Sequence, residues 1–204
     1  MRSATSVTAT SSPDEREAIV RAAFGLIGKS PTGAVSVQQI LAAARLSTRA
    51  FYRHFRSKDE LIISMYRTAA DRVAVELAEV VAAASRPADA LEAWIRHQLA
   101  VVYDVGRARQ TVVLSSLEAR AAAGFEQANH EAAMVRRAVL AGVIRAGQRD
   151  RVFPASTDAD EDARAVTSVV GGIIQAHLAG DETPSWAAAT AHTTELFLRA
   201  FGCQ

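Results

Sequence analysis

Apolar positions along the chain recur at steps of three and four, and no alternating run is long enough to make a strand. Ile19, Ala22, Ala23, Leu26 and Ile27 form the first such stripe. The punctuation between stripes is equally regular. Ser12-Pro13-Asp14-Glu15 offers a cap, a proline at the first helical position and an acid at the third. Ser36-Val37-Gln38-Gln39 and Ser57-Lys58-Asp59-Glu60 repeat the capping box with Gln and Glu, and Ser47 is a further N-cap. These signals predict helices over 13–29, 37–43, 48–54 and 58–83, with Gly28, Pro31 and Gly33 breaking the chain between the first two. Pro87 opens a helix to about Val105, a shorter one covers 107–121, and another runs from about Phe125 to Gln148. The polar stretch 149–162 is a connector, in which Thr157 or Asp158 caps a helix reaching about Ala179. Thr183-Pro184 starts a last helix to about Phe201. The expected fold is all-α, with about nine helices and no repeat.

Composition agrees with that picture and narrows it. The 204 residues are 50% hydrophobic but only 6% aromatic, enough to bury a sizeable helical core. No apolar run approaches the roughly 18 residues of a membrane span. The opening MRSATSVTATSSP lacks the apolar centre of a secretory signal, so residues 1–12 read as a disordered tail. A single cysteine, Cys203, leaves no internal disulfide and fits a reducing cytoplasm, the expected location.

Charge changes the picture most. The net charge of +1 conceals a basic first third: residues 1–60 hold nine Lys and Arg against five acids, and the rest hold fourteen against seventeen. Between Glu17 and Asp59 there is no acid, while seven bases accumulate. A sign imbalance of this kind points to phosphates.

The helices at 37–43 and 48–54, joined by Ala44-Arg45-Leu46, form a helix-turn-helix pattern. At about 100° per residue, Thr48, Arg49, Tyr52, Arg53 and Arg56 fall within an arc of roughly 140°. Phe51 and Phe55 take the opposing side, where Ile40 and Leu46 can pack on them. A recognition helix needs this division, because its apolar side sets the angle at which its polar side enters the major groove. Arg49, in the first turn, suits guanine O6 and N7, and Thr48 a base edge or thymine methyl. Tyr52 and His54 supply ring donors at phosphate height. Lys58 adds a point charge, and the free N–H groups there and at Ser36 suit phosphate oxygens. Gln38 and Gln39 reach the backbone or an adenine. Taken singly, Arg53 and Arg56 also read as solvated charges and Tyr52 as a packing residue.

REAIVRAAFGLI (16–27) and VSVQQILAAARLSTRAFYRHFRSKDEL (35–61) together resemble the DNA-binding domain of the TetR family of bacterial repressors. The resemblance covers about 45 residues; the following 140 match only in length and helical character. It implies a DNA-binding domain over 13–60 and a helical effector-binding and dimerisation domain over 61–204. It also implies a homodimer on a palindromic operator, with Ser36, Thr48, Arg49, Tyr52, His54 and Lys58 at positions that often touch DNA in the family. Three departures stand out. Arg45 replaces the turn glycine, Arg49 a small residue, and Leu41 the usual alanine.

In the larger region the resemblance implies an effector pocket among the central helices, mostly apolar with a few polar anchors. Trp94, His97, Tyr103, Leu114, Glu118, Phe125, His130, Met134 and Gln175 are the candidates, each of which also reads as ordinary core or surface. Val166, Val169, Val170, Ile173, Ile174 and Leu178, with Gly171-Gly172, give one helix a broad apolar surface. Leu196, Phe197, Ala200 and Phe201 stripe the last helix. Two such helices from each copy would make a four-helix dimer interface, with intramolecular core as the competing reading. No phosphate loop, nucleophile elbow, clustered metal ligands or paired carboxylates appear, so neither a cofactor, a metal nor an enzymatic activity is expected. The expected protein is a ligand-responsive regulator, most simply a repressor released from DNA by a small, largely apolar effector. A helical enzyme or a protein-binding scaffold using the same cavity are the other classes.

Overall fold

The computed structural model describes residues 12–29, 34–155 and 158–202. Ten helices and no strand occur among them: α1 (Ser12–Lys29), α2 (Val37–Ala44), α3 (Thr48–His54), α4 (Lys58–Ala82), α5 (Pro87–Tyr103), α6 (Val105–Leu114), α7 (Leu117–Ala121), α8 (Phe125–Arg149), α9 (Ala159–Ala179) and α10 (Trp186–Ala200). The all-α expectation holds. The tail expected over 1–12 lies outside the described residues apart from Ser12, whose backbone begins α1. The side-chain cap expected of Ser12 lies outside them too, as do Pro31, Gly33, Thr157 and Cys203.

Local chemistry explains where the helix count and bounds differ from expectation. The single helix read over 107–121 is two, because the Ser116 hydroxyl accepts the Ala119 N–H at 3.2 Å and starts α7 afresh. The last helix begins at Trp186, not at Thr183-Pro184, because Ser185 takes the N-cap position and accepts the Ala188 N–H at 3.3 Å.

The start of α2 is a complete capping box. Gln39 N–H donates to Ser36 Oγ at 3.2 Å, and Ser36 N–H to Gln39 Oε1 at 2.8 Å. At its other end Arg45 sits at φ 56°, ψ 40°, in the left-handed region. Its N–H bonds Ala42 O at 3.3 Å and the Leu46 N–H bonds Leu41 O at 3.0 Å, the paired bonds of a Schellman ending. The same ending closes α9, where Gly180 at φ 83° carries the turn without a Cβ. Arg45 therefore keeps the conformation of the glycine it replaces, at a cost of about 1 kcal/mol.

Two compact units emerge. The first holds the described residues up to Met65 together with Val112–Phe125; the second holds Tyr66–Thr111 and the chain from Glu126 onward. In the first, α1 packs against α2 and α3. Ile19, Ala23, Ile40, Phe51, Phe55 and Leu61 are buried there, joined by Val113, Ala119, Ala122 and Phe125 from the later segment. The approach of that segment is close: a Cβ on Gly28 would lie 3.2 Å from Val113 Cγ2.

In the second unit α5 is the spine, packed on α9 and α10. Leu77, Leu91, Trp94, Ile95, Leu99, Leu140 and Ile144 form its buried centre. Trp94 is closed to solvent, with its indole N–H satisfied by Arg136 O at 3.1 Å. Past the end of α8 the chain folds back so that the Phe153 ring covers Gly147. A Cβ at that glycine would lie 2.1 Å from the ring.

Candidate nucleic-acid interface

Ser47 fixes the start of α3 by accepting the Ala50 N–H at 3.2 Å. Helical periodicity then buries Ala50 and Phe51, while Phe55, one residue beyond the helix in extended backbone, is buried as well. The Phe51 and Phe55 rings lie 5.7 Å apart, centroid to centroid. This apolar side turns Thr48, Arg49, Tyr52 and Arg53 outward. Tyr52 is 60% exposed, a large exposure for an aromatic residue, with only the edge of its ring on Phe51. Gln38 is exposed on α2, and Arg45 and Arg56 are exposed at either end of α3.

Other members of the expected set are engaged by the protein itself. Ser36 and Gln39 spend their side chains on the capping box. His54 faces inward: its side chain is 8% exposed and Nε2 lies 3.0 Å from Glu15 Oε2. Arg53 Nη1 donates to the same oxygen at 2.8 Å. Arg16, one residue along α1, holds its guanidinium 5.3 Å from the Phe55 ring centroid and bonds Ser64. Lys58 donates to Glu118. Glu15 was absent from the sequence reading as a site residue. Its signal was its position as one of the last acids before the long acid-free stretch.

The residues expected around an effector pocket are divided between the two units. Leu114, Glu118 and Phe125 belong to the first unit, and Trp94, His97, His130, Met134 and Gln175 to the second. Trp94 is core, and His130, Met134 and Gln175 are exposed. Helical periodicity puts Met134 and Gln175 on exposed faces of α8 and α9. His97, by contrast, is buried and meets two half-buried charged side chains. Its Nε2 is 3.1 Å from Arg107 Nη1, and Arg107 Nη2 donates to Glu76 Oε2 at 2.7 Å. Burial first, and the Arg107 charge second, hold the imidazole below its ordinary pKa, with Glu76 opposing. Nearby on α4 and α8, burial raises the Tyr66 hydroxyl and lowers Arg136. A groove of about 300 Å³ between the α4–α5 corner and α8, lined by Val81, Ala84, Arg86, Val139, Gly142 and Asp150 among others, contains none of the expected residues.

Of the residues expected at a dimer interface, Val166, Val170, Phe197 and Phe201 lie in the second unit's own core. They are buried in the core to which α5, α9 and α10 contribute, as the intramolecular reading has it. Ile173 and Ile174 are half-buried, whereas Val169 and Leu196 stay 38% and 40% exposed. Among the described residues no helix is long and apolar enough to cross a membrane, and no group of three or more His, Cys, Asp or Glu is placed to hold a metal ion.

Residues 19–65 match the family described as bacterial regulatory proteins, tetR family. Solved structures share the fold over nearly the whole chain. The transcriptional regulator FadR from Bacillus subtilis, in complex with stearoyl-CoA, superposes with a TM-score of 0.74 at 15% identity, covering 89% of this chain and 97% of that one. Reduced NemR from E. coli gives 0.69 at 22% identity over 89% and 97%. The TetR family transcriptional regulator PfmR from Thermus thermophilus gives 0.65 at 22% identity over 94% and 97%. No curated protein sequence matches the chain.

Proposed function

We propose, from the premise that this chain is a tetR-family bacterial regulatory protein, that it is a repressor binding a palindromic operator as a homodimer and released by a small, largely apolar effector. The observation that carries the DNA-binding half is the sorting of α3. Thr48, Arg49, Tyr52 and Arg53 are exposed over a back formed by Phe51 and Phe55. In this reading Arg49 and Thr48 read base edges, Tyr52 and Gln38 reach phosphate or base, and Arg53 meets the backbone with a charge it shares with Glu15. Ser36 offers phosphate the free N–H groups at the start of α2 while its hydroxyl holds the cap. His54 acts by fixing α3 on α1. Lys58 meets phosphate only as far as its pairing with Glu118 allows.

For the dimer, α9 and α10 carry the proposal through the outward Val169 and Leu196, with the exposed Gly172 permitting close helix approach. For the effector, the stearoyl-CoA held by the Bacillus subtilis FadR supports an apolar ligand in a protein of this fold. The His97–Arg107–Glu76 cluster supplies polar anchors in the second unit. A regulator of this kind acts in the cytoplasm.

The test is binding to a duplex selected by the wild-type protein from a random pool, measured at several salt concentrations. Arg49→Ala weakens binding by about 1–3 kcal/mol and relaxes preference at one base pair. Tyr52→Phe costs about 1 kcal/mol through a lost hydrogen bond. Weak, sequence-blind binding that both changes leave untouched would reject the proposal.

A further inference from the structure

A single carboxylate spans the helix-turn-helix from beyond its own sequence. Glu118, in the first turn of α7, has a side chain only 9% exposed, and both of its oxygens are used. Oε2 accepts the Val35 N–H at 3.0 Å, and Oε1 accepts from the Lys58 ammonium. Val35 immediately precedes the N-cap of α2, and Lys58 is the first residue of α4. The two ends of the motif, 23 positions apart in sequence, are thus joined through one side chain. A second tie from the same segment lies alongside, where the Ala123 N–H donates to Asp59 Oδ2 at 3.2 Å.

Charge gives this tie its meaning. Between Glu17 and Asp59 the chain supplies no acid of its own, so any carboxylate set against that basic stretch is brought in from outside it. Glu15 takes Arg53 and His54, and Glu118 takes Lys58. Glu15 neutralises Arg53 in the last turn of α3 and Glu118 neutralises Lys58 just beyond it, while Arg49, in the first turn, stays exposed. Sequence-blind binding to DNA grows with the number of cations free to meet phosphates, whereas base readout does not. A carboxylate withholding a lysine beside the reading helix therefore lowers binding to DNA of any sequence by about the same factor. The bond to Val35 meanwhile holds the start of α2.

On this basis, and resting on the DNA-binding reading above, we propose that Glu118 restrains the sequence-blind grip of this protein on DNA. It withholds the Lys58 charge from phosphates and fixes the lead-in to α2. The full-length protein with Glu118→Gln and Glu118→Ala tests this against two duplexes: one selected by the wild type from a random pool, and a scrambled duplex of the same length and composition. Glu118→Gln keeps an acceptor for Val35 but removes the charge. It binds the scrambled duplex about 3- to 10-fold tighter at low salt, and its plot of log affinity against log salt steepens by about 0.9 for each chain that meets the duplex. Glu118→Ala does the same and also speeds amide exchange at Val35 by about 10-fold or more. Glu118→Gln also gains on the selected duplex, by a similar factor. A merely structural residue would weaken both duplexes together and raise neither, and that result overturns the inference. Unchanged scrambled-duplex affinity and salt slope overturn it as well. If the wild type enriches no sequence at all, the DNA-binding reading falls and this inference with it. Enrichment by the wild type with unaltered variants removes the role of Glu118 alone.

Discussion

His54 Nε2 lies 3.0 Å from Glu15 Oε2, with the two side chains 8% and 13% exposed. A residue of the exposed-looking stretch YRHFR is thereby an internal anchor. It fastens the last turn of α3 to the first turn of α1, and Arg53 converges on the same oxygen. Removing the acid leaves a buried imidazole without its partner and Arg53 without a counter-charge. Glu15→Ala is expected to lower the unfolding free energy by about 1–2 kcal/mol. The fall would be read as a lower urea midpoint at unchanged slope.

Arg45 offers the opposite sign. It holds φ 56° at the end of α2, where α9 uses Gly180 at φ 83° for the same pair of bonds. Arg45→Gly keeps both bonds and relieves the Cβ strain. The greater freedom of glycine in the unfolded chain offsets part of the gain. A net stabilisation of up to about 1 kcal/mol is expected, seen as a rise in thermal midpoint. A fall would mean that the exposed arginine makes up for its backbone.

Close packing gives a third expectation. A methyl on Gly147 would meet the Phe153 ring at 2.1 Å, and that ring is buried in the core with Phe201 at 5.0 Å. Gly147→Ala must displace the ring, and a cost of about 1–3 kcal/mol follows. The paired Phe153→Ala change should make Gly147→Ala nearly neutral in a double-mutant cycle. Additive effects would contradict this.

The pH response follows from His97. Its folded pKa lies below the ordinary 6.5 because burial and Arg107 disfavour the charged ring. Above about pH 6.5 neither the folded nor the unfolded chain protonates it, and its contribution to stability is constant. As pH falls below that value the unfolded chain takes up the proton and the folded chain does not, so stability declines. The thermal midpoint should drop between about pH 7 and pH 5.5, and His97→Gln should flatten that drop. An identical decline in the variant would assign it to other groups.

These residues also mark how far the sequence could be read. Caps at Ser36, Ser47 and Ser57 and the spacing of Phe51 and Phe55 are local signals, and α2, α3 and α4 follow them closely. The sorted face of α3 was likewise readable, since a single period decides which side chains share an arc. The inward turn of His54 was not, because it depends on Glu15, 39 positions away. The bonds of Glu118 are hidden for the same reason: its partners lie 83 and 60 positions back. On α9 and α10 the apolar pattern was plain, but amphipathic spacing does not say what will cover it. The chain's own α5 covers Val166, Val170 and Phe197.

The segment Val112–Phe125 bears on how this chain can be cut and recombined. A fragment ending at Met65 would contain every residue of the family match yet lack Val113, Ala119, Ala122 and Phe125, which are buried in the same unit. It would also leave the Val35 amide and Lys58 without their carboxylate. The units are interleaved in sequence, so no single cut yields either one whole. A chimaera that moves this first unit onto another protein of the same fold would have to carry two stretches of chain, with the second grafted between the helices of its host.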